Sequence, residues 1–457
     1  MSRKIIFLST LTILFGFIIA NSSCSKTTPD IQIQPDPSLV DEKVDIIISG
    51  LKPNQSVTLK ATMEENQPSP WGVGDNKGRV WQSYAEFTAD ENGTVDLSEQ
   101  APVQGTYQAI DPMGLFWSMK IIGDSQSDQE AGLLDPFEVQ FDLEIQGETA
   151  ASTRITRRFI APNVHSVEVR ENGLVAKLFE PEAGASHPGI LVLGGSEGGI
   201  SSAEMRAALL ASHGYAALAV AYYRMEDLPK MLVQIPLEYF EKAIDWIESQ
   251  ETVDNSRLGI LGGSKGGELA LLLASRFPRL RAAVAYVPSH VVWQGIGYGS
   301  SWTYRGEPLP YVPYKQGAGG YDPQNPTNPI NLGELYLGSL DNQDAVAQAS
   351  IPAEDINGPV LLISGHDDQM WPSKLMAEKI ISRLKEHNFK YPYGHLSYEQ
   401  AGHRITSYYW PTTRPETPEL YSLGGTAAGD AHAQADSWPK VLQFLNNYLK
   451  KVIFSKP

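Results

Sequence analysis

The chain has little cysteine and little positive charge. Its 457 residues include one cysteine, Cys24, so no disulfide can form within the chain. Lys and Arg number 36 against 53 Asp and Glu, and the net charge is −17. Nucleic acids and anionic membrane surfaces are therefore poor partners, because few side chains could neutralise phosphates. Metal-ligand spacings such as C-x-x-C and H-x-x-x-H are also absent from the sequence, so we predict no metal site and no cofactor.

Long apolar runs are also scarce, and the one that stands out lies at the N-terminus. It extends from Ile5 to Ala20, follows Arg3 and Lys4, and is somewhat short for a membrane span. A basic start, an apolar run and small residues in this order are typical of an export signal. Cys24 comes directly after "NSS", and a cysteine there is what lipoprotein processing requires.

We therefore predict a lipoprotein-type signal peptide over 1–23 with lipid attachment at Cys24. Residues 24–38 are polar and contain prolines, which predicts a flexible tether. The expected product is an exported bacterial lipoprotein, periplasmic or at the cell surface, that touches a membrane only through its anchor. An incidental cysteine in a plain signal peptide and an uncleaved anchor remain the alternatives.

The rest of the chain divides into two patterns. Residues 39–161 contain short alternating runs separated by turns, which predict an immunoglobulin-like β-sandwich without a catalytic site. Residues 162–457 alternate continuous apolar strands with helices, the last helix at about 435–450. This second pattern predicts an α/β-hydrolase fold, a mostly parallel sheet with helices on both faces. An insertion at about 291–335, rich in aromatics, glycine and proline, resembles a lid or pocket wall.

Two Gly-x-Ser-x-Gly motifs compete for the role of nucleophile elbow. They are "GGSEG", centred on Ser196, and "GGSKG", centred on Ser264. Each follows a predicted buried strand and precedes a predicted helix. In an α/β-hydrolase the glycine-rich oxyanion loop precedes the nucleophile, and the acid and histidine follow it. Only Ser264 has a glycine-rich loop upstream, so we predict Ser264 as the nucleophile.

The acid and base should then follow at the ends of later strands. "LLISGHDDQMWPS" offers Asp367 and Asp368, and "YEQAGH" offers His403. A G-x-x-D turn counted from Gly365 selects Asp368, which would hold the His403 ring and stabilise its protonated form. Asp367 is expected to be a solvated loop residue.

The glycines around both serines have a predicted mechanical role. Gly262 and Gly266 would leave room for the strained elbow, and Gly194 and Gly195 for the oxyanion loop. The amide of Lys265 is the first predicted oxyanion donor, and the amide of Ser196 or of Glu197 is the second. The Lys265 side chain is expected to be solvated at a helix start.

The sequence resembles the family of acyl-CoA thioesterases and bile acid-CoA:amino acid N-acyltransferases. The strings "DEKVDIIISGLKPNQSVTLKA" and "DPMGLFWSMK" look like its N-terminal β-sandwich, and "HPGILVLGGSEGG", "GGSKGGELAL" and "YEQAGH" like its hydrolase domain. The resemblance implies that Ser264, Asp368 and His403 form the triad. It also implies hydrolysis, because family members that transfer acyl groups to amino acids carry a cysteine nucleophile. Export and the 291–335 insertion depart from the family pattern.

These observations predict an exported serine hydrolase that cleaves an acyl thioester or ester through an acyl-enzyme. Its partner is a small-molecule acyl substrate. One alternative is an acyltransferase that moves the acyl group to an amino acid or another amine. The other is a surface binding lipoprotein with an idle site. The acyl group, the leaving group and the oligomeric state remain open.

Overall fold

The computed structural model describes residues 28–68, 78–125, 131–182, 186–322, 324, 330–405, 409–413 and 422–450. The predicted signal peptide and Cys24 lie outside these ranges. No helix within these ranges is long and apolar enough to cross a membrane.

The first part of the chain forms a β-sandwich. A three-stranded sheet, in the order β1-β3-β6, faces a seven-stranded sheet in the order β2-β10-β9-β4-β5-β7, with β8 also paired to β5. Alternate residues of the strands are buried, and Trp81, Phe87 and Phe141 fill the core. The elements are β1 (Asp30–Gln34), β2 (Ser38–Leu39), β3 (Asp45–Ser49), β4 (Ser56–Glu65), β5 (Arg79–Thr88), β6 (Val95–Asp96), β7 (Gln104–Gly105), α1 (Gly114–Trp117), β8 (Lys120–Asp124), β9 (Phe137–Ile145) and β10 (Glu148–Arg158).

The predicted flexible tether over 24–38 is wrong from Asp30 onwards. Residues 30–34 form β1, which pairs with β3 in antiparallel register. Ile31 and Ile33 alternate with polar residues and point into the sandwich core. A two-isoleucine alternation is too short to stand out within a polar, proline-bearing segment, although its burial is enough to hold the strand.

The second part of the chain has the predicted α/β-hydrolase fold. Its eight-stranded sheet has the order β11-β12-β14-β13-β16-β17-β20-β21. β11 and β12 form an antiparallel hairpin, and the pairs from β14 to β21 are parallel. β15, β18 and β19 form a separate three-stranded sheet. The strands of this part of the chain are β11 (Val164–Val169), β12 (Val175–Pro181), β13 (His187–Leu193), β14 (Ala216–Ala221), β15 (Ile235–Pro236), β16 (Val253–Gly263), β17 (Leu280–Tyr286), β18 (Trp302–Tyr304), β19 (Glu307–Pro308), β20 (Val360–Gly365) and β21 (Tyr393–Tyr398).

Helices accompany the strands along this part of the chain. They are α2 (Ser201–Ser212), α3 (Leu237–Glu248), α4 (Lys265–Arg276), α5 (Leu332–Ser339), α6 (Gln343–Ala349), α7 (Ser373–Glu386) and α8 (Ala427–Leu445). The expected start of the last helix at about 435 is wrong. α8 begins eight residues earlier, where the side chain of Thr426 caps it by accepting from the Gly429 amide at 3.0 Å.

The order of the strands brings four loops to one edge of the sheet. β13, β16, β20 and β21 run parallel, with β17 between β16 and β20. Carboxyl ends of parallel strands meet at the same edge, where open α/β sheets bind ligands. The Gly194–Gly199 loop, Ser264, Asp368 and His403 all follow such an end.

Candidate active site

Ser264 occupies a strained elbow between β16 and α4. Its backbone has φ 55° and ψ −123°, a region that side-chain-bearing residues rarely adopt. The turn is tight because a Cβ on Gly262 would lie 2.0 Å from the Gly266 carbonyl oxygen. A Cβ on Gly266 would lie 2.2 Å from the carbonyl oxygen of Gly194. Glycine at these positions lets the elbow and the upstream loop touch through their backbones.

The structure brings the three predicted triad residues into one hydrogen-bonded chain. Ser264 Oγ lies 2.9 Å from His403 Nε2, although the two residues are 139 positions apart in the sequence. His403 Nδ1 lies 2.9 Å from Asp368 Oδ2 and 3.0 Å from Oδ1. The Asp368 side chain is 1% exposed and that of His403 is 11% exposed. The arrangement suits proton transfer from the hydroxyl to the imidazole, with the carboxylate holding the ring.

Backbone donors hold the Asp368 carboxylate in place. Its Oδ1 accepts from the amides of Met370 at 3.1 Å and Trp371 at 3.3 Å. The Trp371 ring packs edge-on against the imidazole of His403, with centroids 6.0 Å apart. Carboxylate and imidazole are thus both supported by the loop after β20.

The structure of the oxyanion loop distinguishes between the two predicted upstream donors, the amides of Ser196 and Glu197. Ser196 lines the pocket beside Ser264, together with Lys265. The Glu197 carboxylate turns back and accepts from the Gly195 amide at 2.9 Å and from the Ser202 hydroxyl. Glu197 does not contact the pocket, so the geometry favours the Ser196 amide, with that of Lys265, as the oxyanion donors. Their catalytic roles stay a prediction.

The expectation of a solvated Lys265 side chain is wrong. The side chain is 6% exposed, and its Nζ donates to both carboxylate oxygens of Glu268, at 2.8 and 2.7 Å. Trp302 Nε1 donates to the same carboxylate at 2.8 Å. Burial lowers the pKa of Lys265 and raises the pKa of Glu268, and the attraction between the two charges opposes both shifts. Nothing in the sequence indicated that Lys265, at the start of a helix, would form a buried ion pair with Glu268.

A cavity of about 400 Å³ lies beside Ser264. Most of its wall is apolar or aromatic, and its charged side chains are Asp322 and the paired Lys265. Much of the wall comes from the predicted 291–335 insertion, including Tyr298, Tyr314 and Tyr321. Outside the insertion, the sequence did not single out the wall residues Leu232, Tyr336, Met370 and Trp371. Whether the insertion moves as a lid stays a prediction.

Comparison with known proteins identifies the family. Residues 41–171 match the model for the acyl-CoA thioester hydrolase/BAAT N-terminal region, and residues 235–451 match the BAAT/acyl-CoA thioester hydrolase C-terminal model. Mouse bile acid-CoA:amino acid N-acyltransferase (Mus musculus) is 32% identical over 91% of this chain and 96% of that protein. The chain belongs to the family of acyl-CoA thioester hydrolases and bile acid-CoA:amino acid N-acyltransferases. Acyl-coenzyme A thioesterase 1 of Mus musculus is 31% identical, over 90% of this chain and 94% of that protein.

The human relative gives the same picture. Homo sapiens bile acid-CoA:amino acid N-acyltransferase is 33% identical over 91% of this chain and 96% of that protein. The similarity covers both the β-sandwich and the hydrolase part. Family membership and the α/β-hydrolase fold together make the chain an enzyme of the acyl thioester and ester hydrolase class.

Proposed function

We propose that the protein hydrolyses an acyl thioester or ester through an acyl-enzyme on Ser264. The observation that carries this proposal is the 2.9 Å contact between Ser264 Oγ and His403 Nε2, within a triad completed by Asp368. Each hydrogen bond that proton transfer needs is already formed. This complete triad argues against an idle site in a binding protein.

The geometry supports the following course of reaction. Ser264 Oγ forms a bond to the acyl carbonyl carbon as its proton passes to His403 Nε2. The amides of Ser196 and Lys265 stabilise the oxyanion, and one such donor is worth about 3 kcal/mol of barrier. The bond from the acyl carbon to sulfur or oxygen breaks, and the leaving group takes the proton from His403. Water then attacks the acyl-enzyme by the reverse route and releases the carboxylic acid.

The acyl group is the part of the substrate that the cavity fits. Most of the wall beside Ser264 is apolar or aromatic, and the Lys265 ammonium in it is neutralised by Glu268. Such a wall suits an uncharged hydrocarbon or ring-bearing acyl chain. The relatives' names contain acyl-coenzyme A, which makes a CoA thioester one candidate substrate. A plain ester or thioester is the other, because export would separate the protein from cytosolic CoA esters.

A substrate panel tests these alternatives. A series of acyl chain lengths is offered both as p-nitrophenyl esters and as CoA thioesters, and kcat/KM is measured for each. A clear chain-length optimum is expected in the ester series. Absence of turnover in both series with correctly folded protein would contradict the proposed hydrolysis.

Acyl transfer to an amine is the second candidate function. Two relatives named as N-acyltransferases support it at 32% and 33% identity. The serine nucleophile favours hydrolysis, because oxyester intermediates select amines over water less strongly than thioesters do. Products are analysed with and without added glycine or taurine. N-acyl products in excess of free acid would favour transfer.

Export and lipid attachment complete the proposal. They are supported by Arg3, Lys4, the apolar run that follows them and the single Cys24. The enzyme would then act outside the cytoplasm, next to the membrane that holds its anchor.

A further inference from the structure

We propose that Tyr222, Trp302 and Glu268 are positioning residues that hold both halves of the oxyanion hole in register. This inference rests on the proposed function, since it assigns how the two donor amides are oriented. None of the three was singled out by the sequence. All three are buried, with exposures of 2% for Tyr222 and 0% for Trp302 and Glu268.

Tyr222 controls the upstream half of the hole. Its single hydroxyl proton is shared between two acceptors, the carbonyl oxygens of Gly194 at 2.8 Å and Gly195 at 3.1 Å. The Gly195 carbonyl and the Ser196 N–H share one planar trans peptide and point in opposite directions. Holding that carbonyl on Tyr222 therefore turns the Ser196 N–H away from Tyr222 and leaves it free to donate. If this peptide flipped, a carbonyl oxygen would replace the donor.

Glu268 controls the downstream half. Lys265 carries the second donor amide at the start of α4, and its side chain is clamped by two bonds to Glu268 within the same helix. Both Glu268 oxygens accept from Lys265 Nζ, and Oε1 also accepts from Trp302 Nε1 at 2.8 Å. The Lys265 ammonium also lies 5.8 Å from the centre of the Trp302 ring. The first turn of α4 is therefore fixed by a buried ion pair rather than by solvent contacts.

Trp302 joins the two halves. Its ring packs against that of Tyr222 with centroids 5.8 Å apart, and both rings contact Phe240. Trp302 begins β18, which pairs with β15 in a small separate sheet, Ile235 opposite Trp302. The 291–335 insertion thus contributes more than a pocket wall, since it supplies the side chain that ties the oxyanion loop to α4.

A buried ion pair needs a reason other than stability. Removing two charges from water costs free energy that their attraction barely returns, so such pairs often add no net stability. A site that must present two amides to one oxygen atom needs accurate placement, and small misplacements reduce turnover strongly. Precise orientation of Lys265 is the benefit that the pair can provide here.

Conservative variants test the proposal in the full chain. Tyr222→Phe keeps the ring and removes the hydroxyl, and Trp302→Phe removes the N–H to Glu268. We expect each variant to lower kcat for an acyl p-nitrophenyl ester by about tenfold or more, with KM changed less than about threefold. The loss is smaller than that caused by removing an oxyanion donor, because the donor is only misplaced.

Tyr239→Phe is the matched control. Tyr239 also packs on Phe240, and its hydroxyl also donates to a backbone carbonyl, that of Ala221 at 2.7 Å. It makes no contact with the oxyanion loop. The same substitution there should lower stability comparably and leave kcat within about twofold, because no donor is reoriented.

Inhibitor affinities separate positioning from general weakening. An alkyl boronic acid forms a tetrahedral adduct on the serine, with an oxygen in the oxyanion hole, whereas the matching alkyl ether occupies only the pocket. Tyr222→Phe should weaken the boronate about tenfold and leave ether affinity unchanged. The double variant Lys265→Met with Glu268→Met should stay folded, because it removes both charges, and should show the same selective loss.

The outcomes are distinguishable. If Ser264→Ala remains active, the proposed function itself fails. If Ser264→Ala is inactive but Tyr222→Phe and the double variant keep wild-type kcat and boronate affinity, only the positioning role is refuted. Equal weakening of boronate and ether would also refute it, because that pattern indicates a damaged pocket.

Discussion

Asp367 and Asp368 are neighbours in sequence, yet their carboxylates bind different partners. Asp368 faces His403, with Oδ2 2.9 Å from Nδ1, and is buried. Asp367 is exposed, and its Oδ2 accepts from the Gly425 amide at 2.9 Å. Only one carboxylate of the pair can therefore orient the imidazole.

The first prediction follows from that difference. Asp368→Asn keeps the shape but removes the charge that stabilises the imidazolium, a change that costs about 10⁴-fold in a serine protease triad. We expect kcat to fall by at least about 10²-fold for Asp368→Asn and by less than about tenfold for Asp367→Asn. The measurement is kcat from steady-state kinetics, on variants whose circular dichroism spectra match the wild type and so show that they are folded. A crippled but folded Asp367→Asn would reverse the assignment.

The second prediction concerns the two competing serines. Ser196 lines the same pocket as Ser264, but no imidazole contact is recorded for it within the described residues, whereas Ser264 contacts His403. A fluorophosphonate probe should label the wild type and Ser196→Ala and leave Ser264→Ala unlabelled. Intact-mass spectrometry reads the adduct directly. Labelling that disappears in Ser196→Ala and survives in Ser264→Ala would contradict the choice of nucleophile.

The sequence predicted the fold class, and it predicted that Ser264, Asp368 and His403 lie together, because both depend on order along the chain. Parallel strands bring their carboxyl ends to one edge of the sheet, so a serine, an aspartate and a histidine that follow the ends of β16, β20 and β21 are expected near one another. The two serine motifs could be told apart for the same reason, since only one had a glycine-rich loop before it. Chain order carries this information without any knowledge of side-chain packing.

What the sequence missed depends on packing between distant elements. Lys265 was expected to be a solvated helix-start residue, but Trp302 and Trp293 from the insertion contact its buried ammonium. Tyr222 directly follows the apolar strand β14, and nothing in the sequence marks its hydroxyl as the partner of the oxyanion loop. β1 was missed because its apolar content is two isoleucines.

The third prediction tests the backbone contact between elbow and oxyanion loop. A Cβ on Gly266 would lie 2.2 Å from the Gly194 carbonyl oxygen and 2.9 Å from that of Leu193, and backbone cannot move aside cheaply. Gly266→Ala should lose at least about 10²-fold in kcat/KM and about 1–3 kcal/mol of stability. Gly394→Ala in β21 is the control, because its Cβ would meet only Leu361 Cδ1 at 3.5 Å. Near-normal activity of Gly266→Ala would mean that the loop tolerates displacement.

The fourth prediction concerns the proposed anchor. If Cys24 is acylated, the protein expressed in a bacterial host should partition into the detergent phase and carry the mass of a lipid-modified N-terminus. Cys24→Ala should move it to the aqueous phase or leave the signal peptide uncleaved. An unmutated protein recovered in soluble form with residues 1–23 removed and an unmodified Cys24 would contradict lipid attachment.

The last prediction is a pH dependence that arises away from the triad. His290 follows β17, its Nδ1 is buried without a hydrogen-bond partner among the described residues, and burial followed by repulsion from Lys379 lowers its pKa from 6.5 to about 4. Between these values the unfolded chain binds the proton and the folded one does not, so stability is fully present above pH 6.5 and is lost as the pH falls to about 4. The contribution of this one group is at most about 3 kcal/mol.

His290→Gln should therefore lose less stability than the wild type between pH 7 and pH 4, measured by urea unfolding at each pH. Parallel pH profiles for His290→Gln and the wild type would show that His290 does not contribute to acid sensitivity.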